Sequence, residues 1–517
     1  MSDAALYRNT RVMTIGTGLS RVTGLARTAA LVYALGVAGT RLADTYNLAN
    51  TMPNIIYDLV LGGIIAAVFV PVLIDIRGHA SGDPSALISV SLVALGVVTV
   101  LVAIAAPVIM RIYTFRISDP AVRAEQLALA TFLLRWFAPQ IFFYGLSSLT
   151  QALLNVRGRF AGPMFAPVLN NVIVIGTFIA YARLISAHGL HISFAAKTLL
   201  GAGTTAGVVV QAIVLIPYLR ADKLRFRPNF KDPAIARMVR LSAYALGYVV
   251  ANQIAFWVVL MLANRKQGGV TEWSVAYQFF TLPYGLFAVS LVTALLPDLS
   301  RAASTRDWSA YRRWFSTGIR GVAYLLLPAA VGYALVAPPL MRLVLAHGVA
   351  TAHDAGAVAS VLRALAPGLV FFSAFQLLTR CFFALPDTRT PTIVNAAAVI
   401  VQTTLSFPLF ALRHVDGLAY AFDISYFVGA AVLLVILARR VPNGLDLKGA
   451  VPSLARICAM SAAMGAGVWG LSHAIHSGDL ARLGAAVGAG AILYLAFSQV
   501  AGLEERMIVL GLFRRRD

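Results

Sequence analysis

The amino-acid sequence predicts an all-α polytopic membrane protein, with about fourteen transmembrane helices in two six-helix lobes plus two C-terminal helices. The first observation is composition: 59% of the 517 residues are hydrophobic and only 12% are charged. The second is a succession of long apolar segments, and the third is an internal repeat. A soluble core of this size does not need so much apolar sequence.

The apolar segments follow one another along the whole chain. Windows of about 19 residues, divided at turn residues and charges, separate fourteen of them. Their bounds are 9–36, 43–75, 85–113, 121–156, 160–184, 195–219, 233–263, 271–300, 309–345, 355–385, 390–412, 416–440, 449–474 and 480–511. Several exceed the ~20 residues that cross a bilayer, so we expect tilted helices. We expect the first helix to be retained, because no small-residue cleavage site follows it.

The loops carry most of the formal net charge of +21. Basic residues concentrate after even-numbered segments: Arg157, Arg159, Arg220, Lys223, Arg225, Arg227, Lys231, Arg301, Arg306, Arg312, Arg313, Arg439, Arg440 and Lys448. The positive-inside rule therefore predicts a multi-pass protein with both termini in the cytoplasm. Such charge faces the anionic leaflet, and since no base-recognition motif appears, nucleic acid is not an expected partner.

An internal repeat divides the chain. The stretch LLRWFAPQIFFYGLSSLTQALLNVRGRFAGP aligns without gaps to VLRALAPGLVFFSAFQLLTRCFFALPDTRTP, so that Ala138-Pro139 matches Ala366-Pro367. Six-helix units at this spacing predict lobes at residues 1–219 and 220–441, with residues 442–517 as an appendix. The matched prolines mark either helix kinks or ordinary packing positions. Two lobes around a central cavity are typical of an alternating-access transporter.

The first segment carries Arg21 and Arg27 inside apolar sequence. On a helix, Ser20, Gly24 and Arg27 share one stripe, and Arg21 lies on the neighbouring stripe. Since an arginine in hydrocarbon costs about 2.5–3.5 kcal/mol, the pair predicts a protected cavity that binds an anion such as a phosphate. The alternative for Arg21 is that it snorkels to the membrane surface.

Polar residues in other segments extend this candidate site. Asp44 opens the second segment, and Asn54 follows Pro53, where its side chain can bond a freed backbone group or line the cavity. Asp58 is either a counter-ion to an arginine such as Arg27 or a cation site. Gln278 lies in the eighth segment, at the height where the other lobe would face the cavity.

The sequence lacks the common catalytic and metal-binding motifs. The sequence contains no Walker A loop, GxSxG, HExxH or dinucleotide fingerprint, so we expect a transporter without a resident cofactor or metal. The cysteines, Cys381 and Cys458, have no metal or disulfide spacing. Asp423 either binds a proton or sodium ion or is hydrogen-bonded near the beginning of a helix.

Several short motifs resemble the lipid II flippase family (MurJ or MviN), within the multidrug/oligosaccharidyl-lipid/polysaccharide exporter superfamily. They are Ser20-Arg21-Val22-Thr23-Gly24-Leu25-Ala26-Arg27, Ala43-Asp44, Met52-Pro53-Asn54, Val68-Phe69-Val70-Pro71-Val72-Leu73, Asn155-Val156-Arg157-Gly158-Arg159-Phe160 and Leu296-Pro297-Asp298-Leu299-Ser300. The resemblance covers nearly the whole chain. It implies a protein of the bacterial cytoplasmic membrane that moves a polyprenyl diphosphate-linked muropeptide to the outer leaflet.

The resemblance also assigns roles. It implies that Arg21 and Arg27 bind the diphosphate, that Asp44 and Asn54 are further functional positions, and that the last two helices hold the polyprenyl tail. The membrane potential or a monovalent cation is the expected driving force. Expected partners are lipid II, membrane lipids and cell-wall synthesis proteins.

Three positions depart from the family pattern and keep rival functions open. Thr28, Tyr57-Asp58 and Tyr277-Gln278 stand where many members have Asp, Arg and Asp-Arg. The first rival is a flippase for another polyprenyl-linked glycan. A cation-coupled drug exporter is the second, although its cavity should present carboxylates and aromatic rings to cations. The third is a non-transporting scaffold that docks cell-wall enzymes at the basic loop 220–231.

Overall fold

The helices account for nearly the whole described chain. The computed structural model describes residues 3–60, 84–157, 159–185, 189–218, 226–229, 233–445, 447–475, 478–503 and 505, and no strand occurs among them. Its α-helices are α1 Asp3–Leu35, α2 Leu42–Val60, α3 Pro84–Thr114, α4 Pro120–Phe137, α5 Pro139–Val156, α6 Ala161–Leu184, α7 Phe194–Ile213, α8 Pro233–Ala263, α9 Gly269–Pro283, α10 Val289–Ser304, α11 Trp308–Leu345, α12 Ala352–Leu365, α13 Gly368–Ala384, α14 Arg389–Arg440, α15 Leu447–Ala474 and α16 Asp479–Val500.

These helices confirm the all-α membrane class and follow the predicted segments closely. In the described part of the chain, nine helical stretches, or ten if one bent pair counts as a span, are long and apolar enough to cross a membrane. The eighth segment is α9, one π-helical turn at Tyr284–Ala288, and α10. Segments eleven and twelve form α14, which has non-helical backbone angles at His414. Residues 61–75 of the second segment and 506–511 of the fourteenth lie outside the described residues.

The matched prolines coincide with helix breaks. Helix α4 ends at Phe137 and α5 begins at Pro139, while α12 ends at Leu365 and α13 begins at Gly368. The α12–α13 pair bends by 45°. Proline has no N–H to continue the ladder and clashes with the preceding turn, so the kink interpretation is confirmed at Pro367. At Pro139, Pro120–Asn155 forms one span with helical backbone angles at Ala138, and the kink stays a prediction.

Polar residues begin several helices in the way that the sequence favours. Asp119 accepts a hydrogen bond from the Ala121 N–H at 2.8 Å and caps α4, where Pro120 occupies the first turn. Ser193 caps α7, and Asp307 caps α11. Such side-chain acceptors satisfy N–H groups that the first helical turn leaves unbonded.

The chain divides into two compact units. Unit 1 comprises Met1–Thr271 and His347–Thr351, and unit 2 comprises Glu272–Ala346 and Ala352–Asp517. Helix α8 packs on α2 and α3 in unit 1, although the repeat places it in the second lobe. The predicted lobes follow the sequence repeat, and the division at residues 219/220 and 441/442 stays a prediction.

Each unit has its own core. In unit 1, the buried Tyr46 ring packs edge-on against Phe137 and Phe178, with centroids 5.5 and 5.3 Å away. In unit 2, α11 contacts α12, α13, α15 and α16. An aromatic cluster joins α9, α13 and α14 there; its members are Trp273, Tyr277, Phe280, Phe372, Phe422 and Tyr426.

Candidate functional site

Helix α1 is held in unit 1 by close packing against α6. A Cβ added at Gly16 would lie 2.6 Å from the Met164 Cβ, so only glycine permits this approach. The Asn171 side-chain amide donates to the Ser20 carbonyl at 3.3 Å and to the Thr23 hydroxyl at 3.0 Å. These contacts fix the rotation of α1, and with it the direction of its arginines.

Arg27 is anchored to the interior of unit 1. Its partly buried guanidinium interacts electrostatically with the Tyr46 hydroxyl, and Tyr46 is itself 0% exposed. The Tyr46 hydroxyl also lies 2.9 Å from the Thr204 hydroxyl. Helices α1, α2 and α7 therefore position one guanidinium together. Sequence reasoning missed Tyr46 as a partner, although a Tyr…Pro pattern recurs in the second and eighth segments, at Tyr46…Pro53 and Tyr277…Pro283.

Arg21, Ser20 and Gly24 lie on the same helix and are partly buried. Among the residues that the structure describes, neither Arg21 nor Arg27 forms an ion pair with a carboxylate. Two fixed positive charges of this kind can bind the oxygens of an anion. The roles of these four residues in binding stay predictions.

Asn54 and Asp58 belong to α2. The Asn54 amide donates to the Asn50 carbonyl at 2.9 Å. Pro53 frees a different carbonyl, that of Ala49. The Asn54 side chain bonds Asn50 instead, because a side chain on a helix reaches the carbonyl four residues before it. The Asp58 side chain lies outside the described residues, so its predicted pairing with Arg27 stays a prediction.

Asp44 is fully buried and accepts three hydrogen bonds. They come from the Gly268 N–H at 2.7 Å, the Thr271 N–H at 2.9 Å and the Thr271 hydroxyl at 2.8 Å. Asp44 therefore caps the first turn of α9, where unbonded N–H groups favour an anion. Its predicted contact with substrate stays a prediction.

A polar network that the sequence did not indicate lies beside Asp44. Arg41 donates to the Asn264 carbonyl at 2.8 Å, and Gln126 donates to the Asn264 side-chain carbonyl at 2.9 Å. Asn264 in turn donates to the Tyr113 carbonyl at 3.2 Å. These residues are far apart in sequence, and the network ties the ends of α2, α3, α4 and α8 together within unit 1.

Gln278 and Asp423 lie in unit 2. Gln278 is partly buried on α9 and follows Tyr277, which stacks on Trp273 at 5.9 Å. Asp423 is 6% exposed and lies against Gly368 at the beginning of α13. Its Oδ1 has no hydrogen-bond partner among the described residues. Both interpretations of Asp423, as a cation or proton site and as a residue hydrogen-bonded near the beginning of a helix, stay predictions.

Unit 2 also contains an apolar cavity of about 610 Å³. Its walls come from the π turn, α11, α15 and α16, and include Phe287, Leu335, Met464 and Leu495. Its shape and lining suit a hydrocarbon chain. The described residues contain no group of three or more His, Cys, Asp or Glu side chains that could hold a metal ion.

A bundle of membrane-spanning helices with a positioned pair of arginines and an apolar cavity defines a membrane transporter of amphiphilic anions. The lipid II flippase MurJ family model matches residues 31–483. The chain therefore belongs to the lipid II flippase MurJ family, and it is a transporter rather than an enzyme. The matched range begins after Arg21 and Arg27, whose roles it does not test.

Similar proteins agree with this family. A probable lipid II flippase MurJ of Haemophilus influenzae is 27% identical over 480 residues, covering 88% of this chain and 90% of the relative. A lipid II flippase MurJ of Burkholderia cenocepacia is 27% identical over 447 residues, covering 84% of both chains.

Solved structures share the fold. The lipid II flippase MurJ in an inward closed conformation superposes with a TM-score of 0.78 at 20% identity, covering 94% of this chain and 98% of that chain. An inward-facing multidrug resistance transporter of the MATE family in the MOP superfamily gives a TM-score of 0.67 at 15% identity, with 81% and 95% covered.

Proposed function

We propose that this protein moves lipid II from the inner to the outer leaflet of the bacterial cytoplasmic membrane by alternating access. The observation that carries the proposal is Arg27, a partly buried guanidinium of α1 that interacts with the buried Tyr46 hydroxyl. Membership in the lipid II flippase family supports the identity of the substrate. Guanidinium groups bind phosphate oxygens in a bidentate manner, and a diphosphate offers them closely spaced anionic oxygens.

The two ends of lipid II have opposite requirements. Arg21 and Arg27 neutralise the diphosphate, and Ser20, Gly24 and Asn54 offer small or polar surface beside it. Asp44, Asp58 and Gln278 complete the proposed set of substrate-binding residues. The apolar cavity of unit 2 receives the polyprenyl tail, which gains about 25 cal/mol for each Å² of apolar surface removed from water.

Orientation and driving force belong to the same proposal. Both termini lie in the cytoplasm, as the distribution of basic loops predicts. The membrane potential, which gives about 2.3 kcal/mol per unit charge for each 100 mV, drives the cycle alone or with a monovalent cation. The free Oδ1 of the buried Asp423 supports that residue as the place where such a cation binds. Cell-wall synthesis proteins are proposed partners at the basic loops.

The test is complementation in a bacterium whose own lipid II flippase can be shut off. The readout is lipid II exposed on the outer leaflet, measured at equal abundance of each variant. We expect wild type and the control Arg413→Ala, an exposed arginine of α14, to restore exposure. We expect Arg27→Ala to abolish it and Arg27→Lys to restore only part, because lysine keeps the charge and loses the planar fork.

Each outcome bears on a different part of the proposal. Normal exposure by Arg27→Ala would refute the role of the arginine. Failure of well-expressed wild type would refute lipid II as substrate and favour another polyprenyl-linked glycan. Tyr46→Phe removes only the hydroxyl that interacts with Arg27, so weaker lipid II binding with unchanged abundance is expected.

A further inference from the structure

Two proline-freed carbonyls of unit 2 have an unusual kind of partner. A proline inside a helix removes the N–H that would bond the carbonyl four residues earlier. Pro283 therefore frees the carbonyl of Phe279 at the end of α9, and Pro328 frees the carbonyl of Tyr324 in α11. In a membrane, a neighbouring side chain has to satisfy such a group.

In both cases the partner is a tyrosine hydroxyl from another helix. Tyr333 of α11 donates to the Phe279 carbonyl at 2.7 Å. Tyr494 of α16 donates to the Tyr324 carbonyl at 2.8 Å. The proline site of α9 is thus tied to α11, and the Pro328 site of α11 is tied to α16. The two bonds form a series that leads from α16 to the eighth segment.

The apolar cavity touches this series at both ends. Tyr324, Pro328 and Tyr494 line it, and the Tyr324 and Tyr494 rings lie 5.2 Å apart. Gly332, the residue before Tyr333, also lines it. Phe287, from the π turn directly after Pro283, forms another part of the wall. A π turn often marks a functional bend, because its i→i+5 bonds are easily rearranged.

We propose that Tyr333 is a positioning residue that makes the bend of the eighth segment depend on what fills the apolar cavity. The occupant is a long polyprenyl chain, and this part rests on the proposed function. A chain that packs on the rings of Tyr324 and Tyr494 shifts the Tyr494 hydroxyl. Because this hydroxyl bonds the Tyr324 carbonyl, the α11 backbone around Pro328 shifts with it. This change in α11 moves Tyr333. Since the Tyr333 hydroxyl bonds the Phe279 carbonyl, the backbone at Pro283 moves as well.

The test uses the full-length protein in lipid nanodiscs and undecaprenyl phosphate as the probe, with farnesyl phosphate as a short-chain control. Hydrogen–deuterium exchange is followed in peptides that cover residues 279–291 and in peptides of α15 and α16. In wild type, we expect the long probe to protect α15 and α16 and to change exchange at 279–291. The short probe should leave 279–291 unchanged.

Variants separate the positioning role from ordinary packing. In Tyr333→Phe, we expect the probe still to protect α15 and α16 but no longer to change exchange at 279–291. The matched control is Tyr311→Phe, which removes another buried α11 hydroxyl, one that donates to the Cys381 carbonyl at 2.9 Å. That carbonyl lies near the end of α13 and is not freed by a proline, so this control should respond like wild type. A wild-type response in Tyr333→Phe would overturn the proposal.

A second pair of variants covers the case in which Tyr333→Phe does not fold. Pro283→Ala restores the backbone N–H that can bond the Phe279 carbonyl, so the double variant Pro283→Ala with Tyr333→Phe leaves no carbonyl unsatisfied. We expect the double variant to fold and to lack the response at 279–291. A response retained by the double variant would overturn the proposal.

The outcomes also distinguish this proposal from the proposed function. If wild type restores lipid II exposure but the long probe leaves α15, α16 and 279–291 unchanged, then the positioning role fails and the flippase function stands. If wild type fails in the exposure assay but the probe changes 279–291 through Tyr333, then the flippase function fails and the coupling stands.

Discussion

Asp44 and Asp423 are two buried aspartates in comparable places that differ in how fully their oxygens are used. Each lies against a glycine at the beginning of a helix, Gly268 before α9 and Gly368 in α13. Asp44 receives three hydrogen bonds on its two oxygens, whereas Oδ1 of Asp423 has no partner among the described residues.

The difference teaches how the same residue type can serve two purposes. A helix N-terminus stabilises a nearby carboxylate through its unbonded N–H groups and its dipole. Both oxygens of Asp44 accept hydrogen bonds from Gly268 and Thr271 at the beginning of α9. Asp423 keeps one acceptor, beside a helix pair that bends by 45°. We therefore expect substitutions to affect stability at Asp44 and ion dependence at Asp423.

The largest effect is expected from Asp44→Ala. This change leaves two backbone N–H groups and the Thr271 hydroxyl without an acceptor in a fully buried site. Since each lost bond to a buried group costs about 1–3 kcal/mol, we expect a loss of about 3–5 kcal/mol of unfolding free energy. The loss of unfolding free energy in Asp44→Asn should lie between zero and that of Asp44→Ala, because asparagine keeps one oxygen. Unfolding in detergent measures the change.

The control for this prediction is Asp416→Ala, which removes an exposed carboxylate that accepts one bond from Ser360. It should change stability by less than about 1 kcal/mol. If Asp44→Ala proved as stable as wild type but inactive, the capping role would be refuted and the predicted contact of Asp44 with substrate would gain support.

The next largest effect is expected from Gly368→Ala. An added Cβ would overlap Asp423 Oδ1 and come within 2.8 Å of its Cγ. Overpacking of this kind costs about 1–3 kcal/mol. Gly356→Ala in α12 is the matched control, because nothing lies within 4 Å of its added Cβ, and alanine should stabilise that helix. Equal melting temperatures for the two variants would refute the close approach of Asp423 to Gly368.

A smaller effect on stability is expected from Asp423→Asn. Asparagine has nearly the same size as aspartate and keeps one oxygen, so the unfolding free energy should change by about 1 kcal/mol or less. Transport should lose its response to an imposed proton or sodium gradient, because the free carboxylate oxygen is gone. Flipping assays in proteoliposomes with each gradient in turn measure this. An unchanged response to both gradients would exclude Asp423 as the coupling site.

The smallest effect is expected from Asp307→Asn, which provides an exposed reference for the two buried aspartates. Hydrogen bonds from the Ser309 hydroxyl and the Ala310 N–H lower the pKa of Asp307. Its contribution is therefore present above the pKa of the unfolded chain and is lost as the pH falls through the folded pKa. Asparagine caps equally well, so the variant should match wild type at neutral pH.

The melting temperatures of wild type and Asp307→Asn should differ only at acidic pH. The melting temperature of wild type should fall towards that of a weaker cap as Asp307 is protonated, while the variant lacks this part of the pH dependence. Parallel melting curves over the acidic range would contradict the role of the Asp307 carboxylate.

The sequence was enough to predict the positively charged residues of the candidate site, but not the residues that contact them. Arg21 and Arg27 stood out because a charge inside apolar sequence is costly wherever the chain folds. The partner of Arg27 followed no such local rule. Asp58, expected as a counter-ion or a cation site, has its side chain outside the described residues, and among the described residues Tyr46 interacts with Arg27 from another helix. For Asn54, helix geometry selected the Asn50 carbonyl over the one freed by proline.

Local chemistry alone determined the helices of this protein. Apolar length, proline and charge fix where a chain can cross a membrane, so the segments, the matched breaks and the all-α class were readable from the sequence. Tertiary structure decided everything that depends on which helices are neighbours. Arg41 bonds Asn264, and Tyr494 bonds Tyr324, across long stretches of chain. Helix packing decides which residues pair. The sequence around a donor shows that it needs an acceptor, but it does not show which distant residue provides that acceptor.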